Sequence, residues 1–337
     1  YDKAWMRDGS IAANALIEVG LAQEARDFAE WFATFQYDSG EVPPIIDTKA
    51  EDPLWEEKRN GLVEYDSQGE FIWLIAQYYR ITGDRALLHN MFAMALKSLE
   101  FMASLRAKRL TAEFRDGPPE KRVFYGLLPE STSHEGYYMK HSYWDDFWAL
   151  KGWQDARTMA VALGQTNLLD WIDTEYADFK KCVYDSIALE FTLKNIDFIP
   201  GCAELGDIDP TSTAAAVIYC DQLEYLPAAQ LARTFDRFME DLRARQQPGA
   251  PYRFTPYEMR SVAALLRMGR KDDSLNLLRF MLKHRRPLAW NHLAEVAHSD
   301  ERFPCYVGDM PHTWVGAEYV NAVRSLFVYE QGDTLIL

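Results

Sequence analysis

Cysteine is scarce in this chain of 337 residues, which has only Cys182, Cys202, Cys220 and Cys305. No two of them form a CxxC pair, so the sequence has neither the spacing of a zinc knuckle nor the density of a disulfide framework. We expect buried free thiols. No HxxxH pair occurs either, and we predict neither a metal ion nor another cofactor.

Long apolar runs are also absent, and none approaches the roughly 20 residues of a membrane-spanning helix. No charged, apolar and small-residue signal sequence opens the chain. We therefore predict no membrane partner. The chain begins at Tyr1 and ends on three apolar residues, 335–337. We expect that it was cut from a longer protein at both ends, with additional domains outside it, so the missing signal sequence carries no information about the compartment.

Basic residues are few: 36 Lys and Arg stand against 51 Asp and Glu, which gives a formal net charge of −15. No basic stripe suited to a phosphate backbone occurs, so we predict no nucleic-acid partner. A uronic-acid polymer is also a less natural substrate, although a local arginine cluster would override the global sign. With 18 Gly, 15 Pro and 48% hydrophobic residues, the composition is that of a globular protein.

The chain does contain a repeated alternation of helical segments, short turns and long loops. Apolar residues recur at helical spacing in eleven segments; a short turn closes each pair, and a long loop opens the next. The predicted helices include residues 23–37, 67–80, 85–107, 168–189, 211–226 and 313–329. The long loops span residues 38–65, 108–142, 195–210, 246–256 and 285–311.

Helical hairpins in this order bury their apolar stripes against their neighbours. Closing five and a half hairpins into a ring predicts an all-α fold, an (α/α)6 toroid or six-hairpin barrel with the first helix of each pair inside. An open solenoid has the same pattern but usually short, uniform loops. We expect the active site in the loops at the N-termini of the inner helices. We assign residues 1–330 to this catalytic barrel and residues 331–337 to the start of a further segment.

Two adjacent carboxylates, Asp145 and Asp146, stand at a predicted helix start between the aromatic residues Trp144, Trp148 and Trp153. An aspartate in this position can simply cap the helix, because its oxygens accept the free backbone N–H groups. A pair of aspartates among exposed aromatic rings would instead form a surface for stacking against sugar rings. The residues by themselves leave both interpretations open.

Other candidate residues lie at the starts of the predicted inner helices and in the loops before them. Trp5, Arg7 and Asp8 open the first inner helix, where Asp8 is either an N-cap or, with Arg7, a clamp for sugar hydroxyl groups. The further substrate-binding candidates are Glu130, Glu135, His141, Trp144, His292, His312 and Trp314.

As an ordered set, these residues resemble the inverting (α/α)6-barrel glycoside hydrolases related to glucoamylase, trehalase and the glycogen-debranching glucosidases. Residues 5–8 (WMRD) resemble their Trp-x-Arg-Asp segment, whose Arg and Asp bind the non-reducing sugar. Residues 144–146 (WDD) resemble the Trp-acid-acid segment of glucoamylases, where both acids are glutamate, and trehalases have Trp-Asp there. Residues 294–295 (AE), before residues 313–314 (TW), resemble the segment that holds the catalytic base.

The resemblance implies an inverting glycosidase that acts on oligosaccharides, with an α-glucoside-like substrate. It implies that Asp145 protonates the leaving group with Asp146 in support, and that Glu295 activates water. Glu318 is the alternative base, although a position one turn into a helix suits a structural role equally well. Desolvation and like-charge repulsion between close, partly buried aspartates would keep one of them protonated near neutral pH.

Two other function classes stay open. A sugar epimerase or a polysaccharide lyase on the same barrel would work through His, Tyr or Arg, and a non-catalytic barrel would only bind carbohydrate. In each case the predicted partner is a carbohydrate. Single substitutions of Asp145, Asp146 and Glu295 distinguish these classes, because only the hydrolase depends on the three carboxylates.

Overall fold

The computed structural model describes residues 2–53, 63–133, 137–285, 288–300, 310–331 and 334–337. The chain divides into two compact units. The first comprises Tyr1–Ile196 and Pro200–Asp207, and the second comprises Asp197–Ile199 and Ile208–Leu337. Each unit is built mainly from helical hairpins.

The first unit contains three long hairpins, with two short helices in the loop between the second and the third. Its helices are α1 (Met6–Glu18), α2 (Ala22–Ala33), α3 (Asp66–Thr82), α4 (Arg85–Ala107), α5 (Ala112–Arg115), α6 (Pro119–Arg122), α7 (Tyr143–Leu163) and α8 (Leu169–Leu193). The first helix of each hairpin packs against the first helix of the next, so α1 contacts α3 and α3 contacts α7. These three neighbours therefore bring their N-terminal residues together.

The crossing of α3 and α7 depends on glycine. A Cβ atom on Gly69 would lie 2.0 Å from the carbonyl oxygen of Trp148, and one on Gly152 would lie 3.0 Å from the Cα atom of Gly69. Any larger side chain at Gly69 would push the two helix backbones apart. This close approach fixes the rotation of α7 relative to α3, and with it the direction in which the first turn of α7 points.

Short-range signals end the helices where the sequence predicted. Gly83 ends α3 in the left-handed conformation, with a φ of +72°, which glycine adopts without steric cost. Asp84 then caps α4, since its side chain accepts hydrogen bonds from the backbone N–H groups of Ala86 and Leu87. Gly164 ends α7 in the same way as Gly83, with a φ of +72°.

A small antiparallel sheet, which the sequence did not predict, lies beside α1. Its strands are β1 (Lys3–Trp5), β2 (Ile45–Asp47) and β3 (Asp52–Pro53). Trp5 pairs with Ile45, and the backbone N–H of Met6 donates to the carbonyl oxygen of Pro44 at 2.9 Å. The loop after α2 thus returns to the start of α1 and holds Trp5 in place.

The second unit continues the hairpin pattern. Its helices are α9 (Pro210–Ile218), α10 (Ala228–Arg245), α11 (Arg260–Arg267), α12 (Lys271–Lys283) and α13 (Thr313–Ser325). Again the first helices are neighbours: α9 contacts α11, and α11 contacts α13. Two antiparallel strand pairs complete the described part of the unit, β4 (Arg253–Phe254) with β5 (Ala297–His298), and β6 (Tyr329–Gln331) with β7 (Thr334–Ile336).

The eleven helices predicted from the sequence are present, and the described residues add the two short helices α5 and α6. Some predicted ends are wrong. The helix expected over residues 211–226 ends at Ile218, because Asp221 turns the chain with a φ of +55°, a left-handed conformation that stops a helix. The helix expected to reach Tyr329 ends at Ser325, and strand β6 begins at Tyr329.

Cys182, Cys202 and Cys220 are buried free thiols, which confirms the expectation for these three. Cys305 lies outside the described residues. Within the described ranges, no helix combines the length and the apolar character that crossing a bilayer requires.

Candidate active site

Arg7, in the first turn of α1, is the centre of a buried ion-pair cluster. Its Nη1 atom donates to Glu64 Oε2 at 2.9 Å and to Asp66 Oδ2 at 2.8 Å, and its Nε atom lies 3.9 Å from Asp8 Oδ2. The guanidinium also lies 5.1 Å from the ring centroid of Trp5. Because Arg7 is only 7% exposed, its charge is balanced by these carboxylates rather than by water.

Asp66, the first residue of α3, links this cluster to α7. The same Oδ2 atom that accepts from Arg7 also accepts the indole N–H of Trp144 at 2.9 Å. Two donors on one carboxylate oxygen hold α1, α3 and α7 together at their N-terminal ends. We call Arg7, Asp8, Glu64 and Asp66 the Arg7 cluster; it connects the N-terminal ends of α1 and α3 to α7.

The expectation of exposed aromatic rings beside the two aspartates is wrong. Trp144, Trp148 and Trp153 are each 1% exposed or less. Trp148 packs edge-on against Trp144, with ring centroids 5.8 Å apart, and against Trp73 of α3, with centroids 5.2 Å apart. Burial of the large indole rings between α3 and α7 stabilises the helix pair. The buried rings do not form an exposed surface on which a sugar could stack.

Asp145 lies in the first turn of α7 and is 1% exposed. The hydroxyl group of Ser131 donates to its Oδ2 atom. Its Oδ1 atom has no hydrogen-bond partner among the residues that the structure describes. Burial, reinforced by the negative charge of Asp66, raises the pKa of Asp145 well above its usual range. A protonated carboxyl group with one oxygen available is what a general acid requires.

Asp146 points in a different direction, because successive residues are about 100° apart around a helix. Its Oδ1 atom accepts the backbone N–H of Leu128 at 3.0 Å. Burial raises the pKa of Asp146 to about 7, while the Leu128 hydrogen bond and the charge of Arg106 act in the opposite direction. Asp146 thus anchors the loop that precedes α7, whereas Asp145 belongs with the Arg7 cluster.

The interpretation of these aspartates as helix caps is wrong. The N-cap residue of α7 is Ser142 and that of α1 is Trp5, and neither helix has a side-chain capping hydrogen bond. Asp8 and Asp145 instead lie inside the first turns of their helices. The negative charge of Asp8 still suits the positive end of the α1 helix dipole.

Three carboxylates of this site were not predicted from the sequence: Glu64, Asp66 and Glu70. Asp66 and Glu70 are four residues apart on α3, and Glu64 comes just before it. Glu70 is fully buried, and burial, then the charge of Asp66, raises its pKa well above the usual range. The available signal was a run of acidic residues at helical spacing where an inner helix was predicted to begin.

Two predicted binding residues, Glu130 and His141, belong to another polar cluster of the first unit. The Nε2 atom of His141 accepts from Arg109 Nε at 2.9 Å, so its Nδ1–H group faces Glu204 Oε1 at 2.7 Å. Arg109 also pairs with Glu130, and the ring of Phe124 stacks on His141 at 4.3 Å. Both ring nitrogens of His141 are already engaged within the protein, so this histidine holds the loop before α7 in place.

In the second unit, Tyr257 brings three of the predicted residues together. Its hydroxyl group lies 2.9 Å from His312 Nε2 and donates to Glu295 Oε1 at 3.4 Å. Its ring lies 4.2 Å from that of Trp314. Glu295 is half-buried, whereas His312 and Trp314 are buried. Sequence reasoning missed Tyr257, which lies in a 3-10 turn just before α11.

Glu318, the alternative base, is fully buried and has both carboxylate oxygens engaged. Its Oε1 atom lies 2.9 Å from Arg260 Nε and accepts the indole N–H of Trp314 at 3.1 Å. Its Oε2 atom accepts the hydroxyl group of Tyr219 at 2.6 Å. Burial raises the pKa of Glu318, against the lowering effect of Arg260. Both carboxylate oxygens of Glu318 are therefore engaged by buried side chains of the second unit.

The last two predicted binding residues are His292 and Glu135. His292 is half-buried in the loop that holds Glu295, and its Nδ1 atom accepts the backbone N–H of Leu293 at 3.0 Å. Glu135 lies outside the described residues. Across the described part of the chain, no group of three or more His, Cys, Asp or Glu side chains is arranged to hold a metal ion.

No protein-family model matches this chain, and no curated protein does. Solved structures do share its fold. A glycosidase variant in complex with glucose aligns with a TM-score of 0.63 over 96% of this chain and 88% of its own, at 14% identity.

Two rhamnosidases are also similar. A rhamnosidase from Klebsiella oxytoca with rhamnose bound has a TM-score of 0.59 at 14% identity, over 95% of this chain and 57% of its own. A GH78 family rhamnosidase of Bacillus sp. GL1 has a TM-score of 0.66 at 14% identity, over 97% of this chain and 32% of its own. At these identities the similarity shows a shared fold that extends over nearly the whole chain.

Proposed function

We propose that this chain is a glycoside hydrolase that acts on oligosaccharides by inversion, with Asp145 as its proton donor. The observation that carries the proposal is the state of Asp145: buried, with a raised pKa and one oxygen without a partner among the described residues. The fold shared with solved glycosidases supports it. Together these features support a carbohydrate as the partner.

Arg7 and Asp8 are proposed to bind the non-reducing sugar. Glu64 and Asp66 fix the guanidinium of Arg7 through its Nη1 atom, so its orientation is set before a ligand arrives. A preorganised donor of this kind binds without the entropy loss of ordering a long side chain. Asp8, beside it in the same turn, supplies acceptors for the neighbouring hydroxyl groups.

The proposed chemical step follows from the environment of Asp145. A proton on its carboxyl group passes to the glycosidic oxygen as the bond from the anomeric carbon to that oxygen breaks, and the leaving sugar departs as an alcohol. Ser131 donates to Oδ2 and so stabilises the carboxylate that the transfer leaves behind. Burial and the charge of Asp66 then favour the return of a proton to Asp145, which restores the acid for the next turnover.

Glu295 is proposed as the general base that activates water on the opposite face of the sugar. It is half-buried in the loop before α13, and its Oε1 atom faces the hydroxyl group of Tyr257. The full engagement of Glu318 by Arg260, Trp314 and Tyr219 supports the choice of Glu295 over it. The hydroxyl group of Tyr257 would orient the Glu295 carboxylate.

We extend the proposal to the architecture: residues 1–330 form one (α/α)6 toroid whose inner helices are α1, α3, α7, α9, α11 and α13. The neighbour relationships within each unit support it, since α1, α3 and α7 pack in order, as do α9, α11 and α13. The active site would lie at the N-termini of these helices, where Arg7, Asp145 and the loop with Glu295 are found. We also propose that the protein has additional domains outside residues 1–337.

The substrate is proposed to be α-glucoside-like. Solved structures of similar fold hold glucose in one case and rhamnose in another, so the test is a screen of nitrophenyl α-D-glucosides, α-L-rhamnosides and natural oligosaccharides. NMR would read the anomer of the first product. Hydrolysis with inversion, lost in Asp145→Asn, is the expected result. Retention of configuration would contradict the mechanism, and activity that does not depend on Asp145 would contradict the hydrolase itself.

A further inference from the structure

Glu70 is a buried carboxyl group that the proposed mechanism does not use. It lies one helical turn after Asp66 on α3, so both side chains are on the same face of the helix. Its exposed fraction is 0%. Among the residues that the structure describes, neither of its oxygens has a hydrogen-bond partner.

Such a group is costly to keep in a folded protein. A buried polar group without a partner loses its hydration and gains nothing in exchange. The titratable groups that act on Glu70 come from all three helices of the site: Arg7 and Asp8 from α1, Asp66 from α3 and Asp145 from α7. Even with Asp145 protonated, burial and the carboxylates of Asp66 and Asp8 outweigh the single positive charge of Arg7, so the neutral form of Glu70 is favoured.

We propose that Glu70 is a sugar-binding residue, and that its neutral carboxyl group takes a hydroxyl group of the bound sugar as the hydrogen-bond partner that the protein does not supply. A neutral carboxyl group offers one donor and one or more acceptors, which matches a sugar hydroxyl group that both accepts and donates. This inference rests on the proposed carbohydrate function of the Arg7 cluster and adds a second contact to it.

The inference narrows the substrate class. The sugar held at Glu70 must be neutral there and must present a hydroxyl group, because an anionic substituent would face the carboxylates of Asp8 and Asp66 as well. A deoxy analogue without that hydroxyl group would leave Glu70 buried and unpaired, and a site of this kind discriminates strongly against such an analogue.

The structure supplies a matched control, Glu190. This residue of α8 is 1% exposed, and neither of its oxygens has a hydrogen-bond partner in the described part of the chain. Burial raises its pKa to about 7. It resembles Glu70 in burial and in lacking a partner, but it has no part in the proposed sugar site.

The first test uses the ligand-free protein and thermal unfolding. Glu70→Met should raise the melting temperature by about 2–4 °C, because methionine removes an unpaired buried carboxyl group, and Glu190→Met should do the same. The gain should grow between about pH 5 and pH 8. In that window a Glu in the unfolded chain has already lost its proton, because its pKa is about 4.3, whereas a buried carboxyl group with a raised pKa keeps it, so the wild type loses stability as the pH rises. A lower melting temperature in Glu70→Met would show a structural role and overturn the inference.

The second test adds D-glucose or L-rhamnose as the probe and measures binding by calorimetry. Wild type and Glu190→Met should bind one of these sugars equally, Glu70→Gln should bind it within about threefold, and Glu70→Met should lose on the order of 10- to 100-fold. Equal binding by wild type and Glu70→Met, or no binding of either sugar by the wild type, would overturn the inference. Failure of the hydrolase is recognised separately, since sugar binding that depends on Glu70 without any hydrolysis would leave the inference standing.

Discussion

Asp66 of α3 lies close enough to Asp145 of α7 for its negative charge to raise the pKa of the Asp145 carboxyl group. The two residues are 79 positions apart in the sequence, and both stand in the first turn of a helix. Asp66 is itself held by Arg7 and Trp144. The residue that fixes the guanidinium of Arg7 therefore also helps keep the proposed acid protonated.

Replacing Asp66 by Asn should lower the pKa of Asp145, because one negative neighbour is removed while an acceptor oxygen is kept. A general acid works only while protonated, so kcat/KM falls as the pH rises through its pKa. In Asp66→Asn this fall should begin at a lower pH than in the wild type, by on the order of one pH unit. The measurement is the pH profile of kcat/KM, and an alkaline limb that does not move would contradict the coupling of the two residues.

Asp145→Asn and Asp146→Asn should differ in how strongly they depend on the leaving group. Loss of the proton donor should slow substrates with poor leaving groups by on the order of 10²–10⁴-fold and spare glycosyl fluorides, which need no protonation. Asp146→Asn should instead weaken the Leu128 anchor and affect both substrate types alike. If Asp146→Asn shows the leaving-group dependence, the two aspartates have been assigned in the wrong order.

Glu295→Gln should abolish the turnover of both oligosaccharides and glycosyl fluorides, because each needs an activated water molecule. Tyr257→Phe is the matched control: it removes the hydroxyl group that faces Glu295 and keeps the ring on Trp314. A loss smaller than that of Glu295→Gln is expected. Steady-state rates with both substrate types provide the comparison, and fluoride hydrolysis at the wild-type rate in Glu295→Gln would exclude this residue as the base.

Glu318→Gln should lower the free energy of unfolding. The substitution removes the negative charge that lies 2.9 Å from the fully buried guanidinium of Arg260, and breaking a buried ion pair costs about 3–5 kcal/mol of unfolding free energy. Urea denaturation monitored by tryptophan fluorescence measures the change. A variant of unchanged stability that has lost hydrolysis would identify Glu318, rather than Glu295, as the base.

The main effect expected of Arg7→Lys is a higher KM, with only a small decrease in the melting temperature. Lysine keeps the positive charge between Glu64 and Asp66 but loses the fork of N–H donors that a guanidinium presents to neighbouring hydroxyl groups. Steady-state kinetics, together with a thermal melt, separates loss of binding from loss of folding. Normal binding and turnover by this variant would contradict the clamp.

Local patterns in the sequence specify the helices and their order. Apolar spacing within a helix, and turn residues such as Gly83, Asp84 and Gly164, act over a few positions, so the chain carries these signals locally. The same local signals placed Arg7, Asp8 and Asp145 in the first turns of their helices. They could not predict the pairing of strand β1 with β2, because the paired residues lie some forty positions apart along the chain.

Packing between helices that are distant in the sequence determines which side chains face one another. The contact of Gly69 with Trp148 sets the rotation of α7, so Asp145 faces Asp66 while Asp146 faces Leu128, a distinction that two adjacent aspartates do not carry in their sequence. Packing against α3 also buried the aromatic rings that the sequence suggested would be open. Burial and long-range charge depend on residues that are distant along the chain, which is why the raised pKa of Asp145 and the unpaired carboxyl group of Glu70 emerge only when the helices are assembled.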